Sequence, residues 1–378
     1  MLKAVFITNI PAHYRVAMLN KAYYILKDHG IELNVVFSSL TYERRKYWDV
    51  DTGNFRFPFF VLEEKGSVNV SRNKLFETGI GLRKTLARIK PDAVAAGGFS
   101  LSTLNALRFA RNKGVPFAIY SGETNFTASS LKWMFIRNLL RKYLIKRTDH
   151  FIVYGSKAAE YINSFGITYD NISIAINSID TDKFTKKLEA CGGADNNGTV
   201  SILFVGDLRK HKGLEHLIKS LQLLKENNFI LNVIGGGEES ENLSEYVRAN
   251  KIEYIKFEGA VNHNDIHVYY KNSDIFVLPS TFEHFGLVLI EAACAGLPLI
   301  GTVFAGASYD VIVEGKNGFI VNPLDHGEFS GKLRNLIKDR ELRNRMRSAS
   351  LDIIRNKVNI DLSGEGFAEG IIKCMNGE

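Results

Sequence analysis

Cysteine is scarce: Cys191, Cys294 and Cys374 are the only three. They are odd in number, far apart, and form no C-x-x-C or Cys/His cluster, which argues against a disulfide framework and a structural zinc site and for a reducing compartment. No run of about 18 apolar residues occurs, so no spanning helix is expected. The opening "MLKAVFITNI" has no basic n-region and no small-residue cleavage site; it reads as a strand, not as a secretory leader. No G-x-G-x-x-G follows a strand, which argues against a dinucleotide oxidoreductase. Nor does any nucleic-acid recognition motif accompany the positive charge.

What is present is an ordinary globular balance, 45% apolar and 24% charged, over 378 residues, which suits two domains better than one. The net charge of +7 is unevenly spread. Residues 1–185 carry 26 Lys and Arg against 15 Asp and Glu; residues 186–378 carry 22 against 26. A basic half and a weakly acidic half point to different partners.

The first half alternates apolar runs with helical patterns: "LKAVFITNI", "VAMLNKAYYILKDHG" closed by Gly30, "IELNVVFSS", then "DAVAAGG", "STLNALRFARNKG", "VPFAIYSG" and "HFIVYGS". Strands separated by helices of about ten residues indicate βαβ units and a parallel sheet. The polar, glycine-rich "KKLEACGGADNNG" (186–198) reads as a linker. The pattern then restarts with "TVSILFVGD" and runs through "FILNVIGGG", "IKFEGAV", "DIFVLPS" and "LPLIGT". The expected domains are 1–185, the linker 186–198 and 199–355, followed by a final helical stretch, 356–378. The expected fold is α/β, two Rossmann-like doubly wound parallel-sheet domains facing a cleft, with ligands beyond the carboxyl ends of the strands.

Three loops of the second half carry chemistry. After the strand ending at Gly206, "DLRKHKG" places Arg209, Lys210, His211 and Lys212 at a strand-to-helix turn, which suits a diphosphate or simply a solvated basic turn. "VIGGGEES" is glycine-rich without being a phosphate fingerprint. In "STFEHFGLVLIEAACAGLPLI", Gly286 permits close backbone approach, and the amides of Leu287 and Val288 open a helix. Glu283 precedes that helix and Glu291 lies inside it among apolar residues. A carboxylate accepts hydrogen bonds from vicinal hydroxyls, and a buried one without a task is costly.

Together these segments resemble the retaining glycosyltransferases of family four, which have the GT-B fold. Glu283 and Glu291 match the family's E-x7-E element, "GLPLIGT" its G-x-P segment, "GDLRKHKG" its phosphate loop, "NSIDTDKF" (177–184) its strap, and "NGFIV" its N-G turn. The resemblance covers roughly residues 150–325, and the fold it implies has the final helical stretch, 356–378, crossing back to the first domain. It implies that Lys212 contacts a donor diphosphate, that Glu283 holds sugar hydroxyls beside the backbone of His284, Phe285 and Gly286, that Gly206, Leu287 and Val288 border the phosphates, and that Glu291 takes the ribose hydroxyls. The family's usual arginine after the first glycine is Asp207 here, and Arg209 is the candidate to replace it. Two D-x-D strings, Asp49–Asp51 and Asp180–Asp182, are short enough to arise by chance. The cations and the helix start can neutralise the diphosphate, so no metal and no cofactor are expected, the donor being a UDP or GDP sugar.

In the first half, "NIPAHYR" follows the first strand and sends His13, Tyr14 and Arg15 toward the expected acceptor; Glu123, the sole acid between Asp92 and Asp149, follows another strand end. Glu123 could orient an acceptor hydroxyl or pair with a neighbouring cation. The acid-free "LKWMFIRNLLRKYLIKR" (131–147) recurs at helical spacing in apolar and basic residues and suits an anionic membrane surface. The expected function is that of a retaining, metal-independent hexosyltransferase, acting on a glycan acceptor, lipid-linked, at the cytoplasmic face of the membrane in polysaccharide or glycoconjugate synthesis. The alternatives are a nucleotide-sugar epimerase on the same fold and an inactive nucleotide-sugar-binding partner.

Overall fold

The computed structural model describes residues 1–40, 50–62, 81–126, 131–192, 198–225, 228–262 and 264–377, with the backbone alone of 131–136. The chain forms two units, Met1–Asp180 with Ile360–Glu378, and Thr181–Asn359.

The first unit is built on a seven-stranded sheet of order β3-β2-β1-β4-β5-β6-β7, every neighbour parallel. Its strands are β1 (Leu2–Thr8), β2 (Ile31–Phe37), β3 (Phe59–Val61), β4 (Ala93–Gly97), β5 (Phe117–Ser121), β6 (His150–Val153) and β7 (Ile172–Ile174). Its helices are α1 (His13–Asp28), α2 (Leu82–Ile89), α3 (Leu101–Lys113), α4 (Leu131–Ile145) and α5 (Ser156–Asn163). The central strands read as continuous apolar runs because helices cover both faces. Val5, Ile7 and Ile119 face one core, and Ala4, Phe6 and Tyr120 the other. The edge strands β3 and β7 are three residues each, too short to show a period in the sequence.

The second unit carries a six-stranded parallel sheet of order β10-β9-β8-β11-β12-β13. Its strands are β8 (Val200–Val205), β9 (Phe229–Ile234), β10 (Ile255–Gly259), β11 (Ile275–Val277), β12 (Leu299–Thr302) and β13 (Gly318–Val321). Its helices are α6 (Thr181–Ala190), α7 (Leu214–Gln222), α8 (Ser240–Ala249), α9 (Ile266–Lys271), α10 (Val288–Cys294), α11 (Gly306–Val311), α12 (His326–Lys338) and α13 (Arg340–Asn356). The units divide at Asp180/Thr181, ahead of the 186–198 stretch expected as linker. Residues 186–190 of that stretch are the end of α6, whose Phe184 and Leu188 are buried, and 193–197 lie outside the described residues.

The last helix, α14 (Ile360–Asn376), belongs to the first unit and lies along α1, β6 and β7. Its glycines explain the close approach. A Cβ at Gly366 would stand 2.1 Å from the Ile174 carbonyl oxygen, and one at Gly370 2.5 Å from Ile152 Cγ1. Phe367 then packs edge-on against Phe6 and Tyr120, with ring centres 5.0 and 5.6 Å apart. No helix among the described residues is long and apolar enough to cross a membrane.

Candidate active site

In the second unit the loops at the carboxyl ends of β8, β9 and β11 are stitched together by backbone. After β8, the Gly206 amide donates to the Ile234 carbonyl and the Leu208 amide to Gly236, both at 3.0 Å, while the Glu239 amide returns to the Leu208 carbonyl at 2.9 Å. Glycine is required there. A Cβ at Gly235 (φ 138°) would meet the Gly206 oxygen at 1.9 Å, and one at Gly237 the Leu208 oxygen at 2.4 Å. "GGG" is therefore the seam between two loops.

The basic turn Lys210–Lys212 comes next, and Gly213 (φ 71°) ends it, placed where a Cβ would be 2.0 Å from the Pro279 oxygen after β11. The Thr281 amide donates to the His211 carbonyl at 2.9 Å. This contact brings the chain just before Glu283 against the basic turn. Lys212 Nζ forms an ion pair with Glu283 Oε2. Glu283 is fixed from behind by a bridge to Ala305, its amide donating to the Phe304 carbonyl at 3.2 Å. Arg209 is not in that pair; its Nε lies 4.0 Å from Asp207 Oδ2, both side chains well exposed. His211 is held below its ordinary value, by burial first and then by Lys212 beside it.

Past Glu283, His284 is exposed, Phe285 buried, and Gly286 takes φ 105°, a left-handed backbone that lets Leu287 turn into α10. Glu291 lies on α10 and is 7% exposed. Burial pushes its carboxyl up to about 7, against the opposing effect of a hydrogen bond from Tyr270. The Tyr270 hydroxyl donates to Glu291 Oε2 at 2.6 Å. Tyr270 lies 21 residues from Glu291 with β11 between them, so no local spacing in the sequence links the two.

In the first unit, His13 opens α1 exposed and Tyr14 is half-buried, but Arg15 turns back beneath the end of β1. Its guanidinium donates to Thr8 Oγ1 at 2.6 Å, Asn9 Oδ1 at 2.9 Å and the Tyr154 hydroxyl at 3.4 Å. Glu123, after β5, is ion-paired with Arg141 of α4, which lies over the rings of Phe99 and Tyr161, each 5.6 Å from the guanidinium carbon. The basic helix thus sends one arginine inward; Trp133 and Ile136, two of the apolar residues in its pattern, lie outside the described side chains.

Of the two D-x-D strings, Asp49 lies outside the described residues, and Asp51 caps the turn Thr52–Asn54 by accepting from the Gly53 amide at 2.9 Å. Asp182 sits in the first turn of α6. Among the described residues no group of three or more His, Cys, Asp or Glu is placed to hold a metal ion.

The architecture of two parallel-sheet α/β units is shared by solved structures over nearly their whole length. A lipopolysaccharide outer core galactosyltransferase, WaaB, superposes with a TM-score of 0.72 at 18% identity, covering 98% of this chain and 99% of that one. HepE of Anabaena in complex with UDP gives 0.75 at 15%, with the same coverage. The fold is that of the GT-B glycosyltransferases.

The family model of the glycosyl transferases group 1 matches residues 193–351. An uncharacterised glycosyltransferase of Haemophilus influenzae is 31% identical over 304 residues, 75% of this chain and 80% of that one. An uncharacterised 41.2 kDa protein of the cps region of Klebsiella pneumoniae is 26% identical over 63% of this chain and 67% of its own. The chain belongs to the glycosyl transferases group 1 family, and it is a glycosyltransferase.

Proposed function

We propose that this enzyme transfers a hexose, with retention and without a metal, from a UDP or GDP sugar to a glycan acceptor in cell-surface polysaccharide or glycoconjugate synthesis. The ion pair of Lys212 with Glu283 carries the reading, because it joins the cation assigned to the diphosphate and the acid assigned to the sugar at one point beside α10. When the donor enters, its diphosphate takes Lys212, and Glu283 is released to accept from sugar hydroxyls. Leu287 and Val288 offer amides at the start of α10 to the phosphates, and Glu291 accepts from the ribose. Lys212 stabilises the charge that builds on the leaving diphosphate, and Arg209 adds to it from the same turn. Relatives and likenesses from a cps region and from lipopolysaccharide synthesis support the polysaccharide setting.

The acceptor belongs to the first unit, at His13, Tyr14 and Glu123, with Arg141 holding the Glu123 carboxylate in place and Arg15 bracing the loop from beneath through Thr8 and Asn9. It is lipid-linked in this reading because α4 and the turn that ends it present Leu139, Lys142, Tyr143 and Lys146 on one outward stripe, with Leu139 53% and Tyr143 41% exposed. Exposed apolar residues flanked by lysines suit an anionic bilayer surface at the cytoplasmic face.

A thermal-shift panel of nucleotide sugars identifies the donor, since a ligand at 100 times its Kd adds about 2.7 kcal/mol. Transfer is then followed by NMR of the anomeric proton, with and without EDTA. A retained anomeric configuration and an unchanged rate in EDTA are expected. Inversion or loss of activity in EDTA would refute the mechanism, and release of an epimerised sugar without acceptor would identify an epimerase.

A further inference from the structure

Glu291 is the one acid of the candidate site that sits almost wholly inside the protein, and how it is held there follows from its neighbour. Tyr270 comes from α9 and is fully buried. Its ring is fixed from two sides, edge-on by Phe184 of α6 with centres 5.8 Å apart and by Phe276 of β11 at 5.7 Å. A tyrosine so clamped has one place to put its hydroxyl, and that hydroxyl reaches Glu291 Oε2 at 2.6 Å.

We propose that Tyr270 is a positioning residue: by holding Oε2 it fixes the plane of the Glu291 carboxylate and presents Oε1 to the hydroxyls of a nucleoside diphosphate sugar. This rests on the reading of Glu291 as a donor-binding acid. A carboxylate on a flexible chain would lose rotamer freedom when the ligand bound; here the loss is met in folding. The bond has an electrostatic consequence as well. A hydroxyl donor favours the charged carboxylate, the form that accepts from two ligand hydroxyls at once, and so opposes the burial that favours the protonated form. Cys294, one turn along α10, is also buried beside Glu291 and stays a neutral thiol, its value pushed up to about 12 by burial and then by the carboxylate. Tyr270 thus orients the acid and favours its ionised form against burial.

The test compares wild type, Tyr270→Phe, Glu291→Gln and the double variant, with UDP and GDP as probes in calorimetric titrations across neutral pH. Losing a hydrogen bond to a charged group predicts roughly tenfold weaker nucleotide binding in Tyr270→Phe. The fall in affinity on acidification should begin at a higher pH than in wild type, and should be absent in both Glu291→Gln proteins. In the ligand-free proteins, the pH dependence of Tm that Glu291→Gln removes should lie at higher pH in the Tyr270→Phe background. A Tyr270→Phe protein that folds, binds as wild type and keeps its pH midpoint in both measurements overturns the proposal. If wild type binds neither nucleotide, the donor reading fails instead, and the ligand-free comparison alone decides whether Tyr270 holds Glu291.

Discussion

Lys212 and Glu283 are paired with each other, Nζ to Oε2, with side chains only 21% and 15% exposed. In the proposed function, a diphosphate takes the lysine from this acid before the acid meets a sugar. Lys212→Ala should therefore reduce kcat/KM for the donor by about 10² to 10³, near 3–4 kcal/mol. Glu283→Gln should lower it as well, and the double variant should lose less than the sum, because contacting residues do not act additively. Steady-state kinetics of the four proteins checks this; strictly additive losses would show that the pair has no functional coupling.

Glu291 makes stability depend on pH in a defined direction. Its carboxyl has an ordinary value of 4.5 and is pushed up to about 7 in the fold. The folded protein keeps a proton that the unfolded chain has released, so stability falls as pH rises through this window. The penalty is absent below the ordinary value and complete above about 7, where it amounts to about 3 kcal/mol. Glu291→Gln should match wild type in urea denaturation on the acid side and exceed it by up to that amount on the alkaline side. Equal stability at all pH values would place the carboxyl in water.

The seam beneath the basic turn depends on glycine. Gly213→Ala would set a Cβ 2.0 Å from the Pro279 oxygen at a φ of 71°, whereas a Cβ at Gly236 would have only Ala260 Cβ, 3.9 Å away. Gly213→Ala should cost roughly 3 kcal/mol of stability and weaken nucleotide binding by moving Lys212. Gly236→Ala should be tolerated. Denaturant melts of the two variants decide it, and similar curves would show that the seam does not constrain the loop.

The outward stripe of α4 predicts attachment to acidic lipid. Lys142→Ala with Lys146→Ala removes two charges worth about 1 kcal/mol each, so flotation with phosphatidylglycerol vesicles should show about thirtyfold weaker binding, reduced further by salt. Unchanged flotation would dissociate this helix from the membrane.

Most of the fold was legible because a parallel sheet covered on both faces writes itself as apolar runs between helical periods, as in "LKAVFITNI" and "TVSILFVGD". The strands β3 and β7 escaped because three residues carry no period, and the unit boundary moved because Phe184 and Leu188 fold residues 181–190 into α6. Glu283, Glu291 and Lys212 were readable as a spaced set. By itself the sequence determined the two parallel-sheet units and offered Lys212, Glu283 and Glu291 as candidates, since backbone periodicity and motif spacing are written along the chain. Only the tertiary structure decided that Lys212 meets Glu283, that Arg141 takes Glu123, that Arg15 turns inward, and that Tyr270 holds Glu291. Each of those contacts joins residues from separate elements, and which groups meet is set by how the elements pack.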